Sequence, residues 1–257
     1  MLTFEEFVEE ALKIVNATQE HNLTVRLMGA LAVYIHCPKY RHLLGKMQRV
    51  PTDIDVAAYS KDKSLLTKFL KELGYKTDER LMSFPAYAEG NRYVYYGKTR
   101  LDVFFDELKM CHRIDWRKRL NVDYPTIPIA DIALEKLQIV KINPKDIKDL
   151  IVLFLEHDIG NADHEMVNGK YIAETLAKDW GFYYTVTMNL KKTLDLSGEY
   201  ISLSNEEQEI LKERITTLLN MIEQEPKSLG WKMRSQIGTK KKWYMDVEDD
   251  RISIKVE

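Results

Sequence analysis

The chain has 257 residues, 45% of them hydrophobic and 30% charged, enough for a packed core and suited to one large or two small domains. That composition excludes a disordered or collagen-like chain. No apolar run approaches the roughly eighteen residues of a membrane helix, and the opening stretch MLTFEEFVEE is acidic where a secretory leader is basic. The expectation is a cytoplasmic protein without membrane association. Cys37 and Cys111 lie far apart, which suits a reducing compartment and fits neither a disulfide framework nor a CxxC site. With 38 Lys and Arg against 40 Asp and Glu, the net charge is −2, so attraction to nucleic acid would have to come from local patches.

Thr3 to Glu6 forms a capping box ahead of apolar residues at Phe4, Phe7, Val8, Ala11, Leu12, Ile14 and Val15, which predicts a helix over 3–20. Val25 and Leu27 alternate as a short strand, Gly29 marks a tight turn, and Ala30 to Ile35 reads as a helix. A strand over 53–59 is followed by a helix over 64–73 that Gly74 stops. Strand-like runs follow at 80–88, 92–96 and 99–105, with Glu89-Gly90 and Gly97-Lys98 as turns between them. From Ile129 the pattern becomes helical. Asp131 is read as the cap of one helix, Asn143-Pro144 as the start of the next, and further helices are predicted over 169–180, 183–193 and 206–225. Ser204 to Glu207 is a second capping box, and Ile252, Ile254 and Val256 alternate like an edge strand. The predicted class is therefore α+β: a small mixed sheet with flanking helices over 1–125, then a mainly helical part over 126–257.

The sharpest chemical feature is Asp53-Ile-Asp55. A strand points residues i and i+2 to one face, so the two carboxylates stand together while Ile54 and Val56 go to the other. Asp102 interrupts the later strand in the same way, although aspartate is depleted in strands. Three carboxylates on neighbouring strands repel one another unless a hard divalent cation lies among them, and oxygen-only ligation suits Mg²⁺ or Mn²⁺. The alternative is that Asp53 caps a strand end and Asp102 lies on a solvated edge. Gly29, following a strand and opening a helix, has the geometry in which backbone N–H groups receive phosphate oxygens.

Strand-Gly29-Ala30, then Arg49-x-x-Thr52-Asp53-x-Asp55, then a strand with Asp102 resembles the nucleotidyltransferase fold of the DNA polymerase β superfamily. Glu135-Lys136-Leu137 and Lys145-Asp146-Ile-Lys-Asp149-Leu150 are similar to the EKL and KDxxDL motifs of AbiEii-type nucleotidyltransferases, a family that includes type IV abortive-infection toxins. The resemblance spans about residues 23–155. It implies metal ligands at Asp53 and Asp55, with Asp102 as third ligand or general base. It also implies Lys136 on the nucleotide phosphates, Asp146 in the active site, and Gly29, Ala30, Arg49 and Thr52 around the nucleotide. The implied activity is Mg²⁺- or Mn²⁺-dependent transfer of a nucleotidyl group from an NTP to an acceptor, whether tRNA or other RNA, a protein, or a small hydroxyl compound. An antitoxin is the implied protein partner. This chain departs from the family in having Ala30 where Gly or Ser is usual, and in a longer stretch between Gly29 and Asp53.

That Ala30 leaves open a non-catalytic member that binds nucleotide or a partner on the same scaffold; a metal-dependent phosphohydrolase is a third reading. Lys136 is alternatively an exposed lysine paired with Glu135 or Asp131, and Asp149 a helix-surface residue. The acid-free segment 36–49, with Lys39, Arg41, Lys46 and Arg49, is either a substrate contact or a solvated loop. A second acid-free run, 226–245, interleaves Lys and Arg with Trp231, Trp243 and Tyr244, which suits RNA or else a connection whose tryptophans are core. His112, His157 and His164 lack zinc spacing.

Overall fold

A computed structural model describes residues 2–77 and 91–247. The expected strand over 80–88, the Glu89-Gly90 turn and the alternating Ile252, Ile254 and Val256 lie outside the described residues. Helix α1 (Phe4–Glu20) begins with the capping box: Thr3 Oγ1 accepts from the Glu6 amide, and Glu6 Oε2 accepts from the Thr3 amide at 2.7 Å. The chain continues through β1 (Val25–Leu27), α2 (Gly29–His36), α3 (His42–Lys46), β2 (Ile54–Ala58) and α4 (Lys63–Glu72). Gly74 follows with φ +89°, as a helix-stopping glycine requires. Strands β3 (Lys76–Thr77), β4 (Arg92–Tyr96) and β5 (Arg100–Phe105) complete a five-stranded sheet of order β1-β2-β5-β4-β3. Only β2 and β5 run parallel; every other neighbouring pair is antiparallel.

Register fixes what each face of this sheet does. In the β2–β5 pair Ile54 stands beside Leu101, Asp55 beside Asp102 and Val56 beside Val103. Ile54, Val56, Leu101, Val103 and Phe105 therefore share one face, where they pack with Phe7, Ile14, Val15 of α1 and Leu66, Leu70 of α4. The opposite face carries Ala57 and Phe104, which join a second core cluster running from Met28 to Ile222. The two aspartates of β2 and its approach share that second face with Asp102, at its edge.

After a hairpin of β6 (Glu107–Lys109) and β7 (Arg113–Asp115), residues 125–127 run back along the sheet edge: Leu27 N donates to Pro125 O and Ile127 N to Leu27 O, both at 2.9 Å. Helices α5 (Ile129–Leu137) and α6 (Pro144–Glu156) follow, then the short parallel pair β8 (Asp158–Gly160) and β9 (Met166–Asn168). Helices α7 (Gly169–Leu176), α8 (Trp180–Tyr200), α9 (Asn205–Gln224) and α10 (Leu229–Ile237) close the chain. The α+β expectation holds. Among the described residues no helix is long and apolar enough to cross a membrane.

Two details depart from the sequence reading. Helix α5 starts at Ile129, before Asp131, so Asp131 caps nothing: it is buried and accepts from Arg119 Nε at 2.9 Å and Tyr171 OH at 3.0 Å. The run 226–245 contains a helix, and its aromatics pack. The Trp231 ring meets Tyr183 at 5.1 Å, and Trp243 donates through Nε1 to Thr185 Oγ1 at 3.1 Å. Periodicity could not show α10, because it buries no residue and leaves Leu229 and Met233 exposed.

Asn143 caps α6 as expected, its Oδ1 accepting from the amides of Lys145 and Asp146 at 2.8 and 3.1 Å, with Pro144 in the first turn. Asn143→Ala is predicted to lower unfolding free energy by about 1 kcal/mol, read as an earlier midpoint in urea with an unchanged slope. Asn143→Ser should restore most of the loss.

Candidate active site

Asp53, Asp55 and Asp102 each present a carboxylate oxygen, and these atoms lie within 4.8 Å of one another. Two strands produce this arrangement: Asp53 and Asp55 are two residues apart on one face, and parallel pairing sets Asp102 beside Asp55. Burial pushes the Asp55 carboxyl well above the usual carboxylate range, repulsion from Asp53, Asp102 and Glu135 adds to it, and Lys136 opposes it. An all-oxygen, mutually repelling donor set of this kind fits a hard divalent cation such as Mg²⁺ or Mn²⁺. Among the described residues this is the group so arranged, and no histidine belongs to it. His112 is instead stacked on Phe182, and His157 meets the ring of His36 edge-on.

Gly29 closes the site from the sheet edge. Its φ is +68°, the left-handed region where a side chain is strained, and a Cβ placed on it would stand 2.9 Å from Asp55 Oδ2. The backbone therefore favours glycine here, and a side chain would also push the Asp55 carboxylate from its place. The neighbouring Met28 amide donates to the Asp55 carbonyl at 3.0 Å, tying the turn to β2. The Gly29 amide itself donates to Glu135 Oε2 at 2.9 Å. Ala30, half-buried, contributes no hydroxyl.

Behind the aspartates lies a buried ionic network that joins the sheet to α5 and α6. Lys136 Nζ lies 3.5 Å from Glu135, 3.3 Å from Asp146 and 3.2 Å from Asp149. Burial opposes the Lys136 charge, but Glu135, Asp149 and Asp146 outweigh it and hold the ammonium above its ordinary value. Arg49 forks onto Asp149 through Nε at 2.9 Å and Nη2 at 3.0 Å, a bidentate pair, and donates to the Val50 carbonyl at 2.7 Å. Burial raises the Asp146 carboxyl, and Lys136 lowers it. Lys136 is thus not the exposed lysine of the alternative reading, and Asp149, 0% exposed, is not a surface residue.

Of the expected residues, Thr52 remains, one position before Asp53. Thr52 is exposed and donates to Asp53 Oδ1 at 3.0 Å. A cavity of about 330 Å³ opens beside Arg49 and Thr52, walled by Leu2, Phe7, Val50 and Pro51 and rimmed by Lys145 and Lys148. The segment 36–49 is not a solvated loop: Tyr40, Leu43, Leu44 and Met47 are core, Arg49 is buried, and Lys39 and Arg41 lie over Tyr40 and Tyr34. Lys46 alone of its cations has the exposure and lack of a partner, among the described residues, that the loop reading expected.

Four participants escape sequence reasoning. Glu135 and Asp149 lie inside the two quoted motifs, but their partners are about a hundred residues away. Arg92 and Arg100 both pair with Asp102: Arg100 Nε reaches Oδ1 at 2.9 Å, Arg100 Nη2 reaches Oδ2 at 3.0 Å, and Arg92 Nη2 reaches Oδ2 at 2.5 Å. The i to i+2 spacing of Arg100 and Asp102 was the available signal.

No protein-family model matches the sequence, and no curated protein matches it. Among solved structures, the chain is similar to that of the antibiotic-resistance factor ANT(2'')-Ia, at 15% identity and a TM-score of 0.38, covering 57% of this chain and 81% of that one. Likeness at this level leaves activity and substrate to be read from the site itself.

Removing one member of a buried ion pair strands the other. Asp149→Ala should cost about 3–5 kcal/mol, whereas Arg49→Met with Asp149→Leu should cost markedly less; chemical unfolding of both variants measures this. Gly29→Ala should lose roughly 1–2 kcal/mol from its left-handed backbone and also weaken Mn²⁺ binding by crowding Asp55, measurable by calorimetry.

Proposed function

We propose that the protein is a divalent-metal-dependent nucleotidyltransferase, moving a nucleotidyl group from an NTP to an acceptor hydroxyl. The single observation that carries this reading is the convergence of Asp53, Asp55 and Asp102, whose carboxylate oxygens lie within 4.8 Å of one another beside the Gly29 turn. A divalent cation bound there supplies Lewis acidity at the phosphoryl group and offsets its developing charge. In the transfer an acceptor oxygen bonds to the α-phosphorus, the bond from that phosphorus to the bridging oxygen breaks, and pyrophosphate departs; the hydroxyl proton passes to water.

Asp53 and Asp55 act as ligands in this reading. Asp102 is read here as a ligand, because parallel pairing sets it beside Asp55 and both its oxygens are already engaged by guanidiniums. Lys136 and Asp146 act as positioning residues: Lys136 is buried among three carboxylates and reaches a phosphate only by giving one up. It holds Glu135 against the Gly29 amide and Asp149 against Arg49. Thr52 orients Asp53. The toxin-like role and an antitoxin partner rest on the motif resemblance, as does the range of acceptors.

A binding-only protein is the second reading, and one observation favours it: the Gly29 amide is already bonded to Glu135, and Ala30 offers no hydroxyl to a phosphate. Incubation with each α-labelled NTP, Mn²⁺ and bulk RNA or cell lysate separates the two. Wild type is expected to transfer label, and Asp53→Ala or Asp55→Ala to lose at least about a hundredfold of that rate while retaining a cooperative melt. Label transfer by both variants at the wild-type rate would sink the mechanism. Mg²⁺-independent nucleotide binding without transfer would support the binding-only reading.

A further inference from the structure

Resting on the nucleotidyltransferase reading, we propose that Arg92 and Arg100 form a phosphate-binding pair, holding Asp102 when no cation is bound and turning to a substrate phosphate once a cation takes that carboxylate. Both arginines come from the sheet itself. Arg100 precedes Asp102 by two residues on the same face of β5, and continuing the parallel register sets it beside Asp53. Arg92 lies on the neighbouring strand β4, two residues before Val94, which stands opposite Asp102. Three hydrogen bonds of 2.5–3.0 Å bind the two guanidiniums to the Asp102 carboxylate.

Exposure separates the partners. The Asp102 side chain is 2% exposed, while those of Arg92 and Arg100 are 30% and 27% exposed. The carboxylate is enclosed and the cations reach solvent, so an incoming anion meets the guanidiniums first. Arg100 Nη1 has no partner among the described residues, leaving that edge of its fork open.

Charge gives the reason for an exchange. Three carboxylates and two guanidiniums leave one net negative charge, and one divalent cation turns this into one net positive charge. The Asp102 oxygens shared with a cation are then weaker acceptors, and the nearest excess of positive charge lies on the arginines. A phosphate matches the planar fork that Asp102 now occupies. Other donors around the triad are committed elsewhere: Lys136 to three carboxylates and the Gly29 amide to Glu135.

The phosphate could belong to the nucleotide or to the acceptor, and calorimetry can distinguish them. Inorganic tripolyphosphate stands for the first and a ribodinucleoside monophosphate for the second, each titrated into full-length protein saturated with Mn²⁺. Arg100→Gln and Arg92→Gln are expected to weaken one of these probes by about tenfold each, with Mn²⁺ affinity alone unchanged within about threefold or tighter. Loss for tripolyphosphate assigns the pair to the nucleotide; loss for the dinucleotide assigns it to the acceptor. Unchanged affinity for both probes, with Mn²⁺ binding altered, would overturn the proposal and leave the arginines as supports of Asp102. Absence of Mn²⁺ binding by wild type would overturn the nucleotidyltransferase reading, and this proposal with it. Arg100→Lys keeps the charge without the fork and covers the case of a glutamine variant that does not fold. Its probe affinity should lie between wild type and Gln, and a wild-type value would contradict the bidentate role.

Discussion

Mutual repulsion among three carboxylates is the constraint around which this protein is arranged. Strand geometry forces Asp53 and Asp55 to one face, and parallel pairing brings Asp102 beside them. Aspartates at these positions gain nothing from the sheet, since each replaces a residue that could have packed. Cations answer the repulsion from two directions: Arg92 and Arg100 along the sheet, and Lys136 from α5. Burial first and repulsion from the neighbouring carboxylates second raise the Asp55 carboxyl, and a divalent cation is the group that would offset both.

The same electrostatics joins the sheet to the helices. Gly29 is bonded to Glu135, the adjacent Lys136 holds Asp146 and Asp149, and Asp149 holds Arg49 just before β2. This chain begins and ends beside the aspartates, so the turn at Gly29 and the approach to Asp53 are both set by α5 and α6. Buried pairs of this kind contribute little net stability against an apolar core of equal volume. Their consequence here is geometric, because a displaced α5 would release both the glycine turn and Arg49. The apolar cluster running from Met28 to Ile222 supplies the cohesion that keeps these charges in place.

Many element boundaries in both halves could be read from local rules. Thr3, Asn143 and Ser204 cap helices because their side chains satisfy amides three residues away or nearer, and Gly74 stops α4 because its backbone needs positive φ. Asp53 and Asp55 announced themselves through a period of two. What stayed hidden depends on partners remote in sequence. Nothing near Asp131 indicates that Arg119 and Tyr171 will enclose it, and a capping role looked equally sound. For Asp149 a helix-surface position stayed open as an alternative, because its partner Arg49 lies a hundred positions upstream in a segment that reads equally as a basic loop or a substrate contact. Helix α10 has no buried stripe to reveal it, so charge and aromatics dominated the reading of that region.

The proposed function stands on Asp53, Asp55 and Asp102 holding a divalent cation. Anomalous scattering from crystals grown with Mn²⁺ tests it most directly. A peak bounded by carboxylate oxygens of all three aspartates is expected, absent in crystals of Asp55→Asn. A protein that crystallises in saturating Mn²⁺ with no density there, and with Asp102 still held by Arg92 and Arg100, would contradict it.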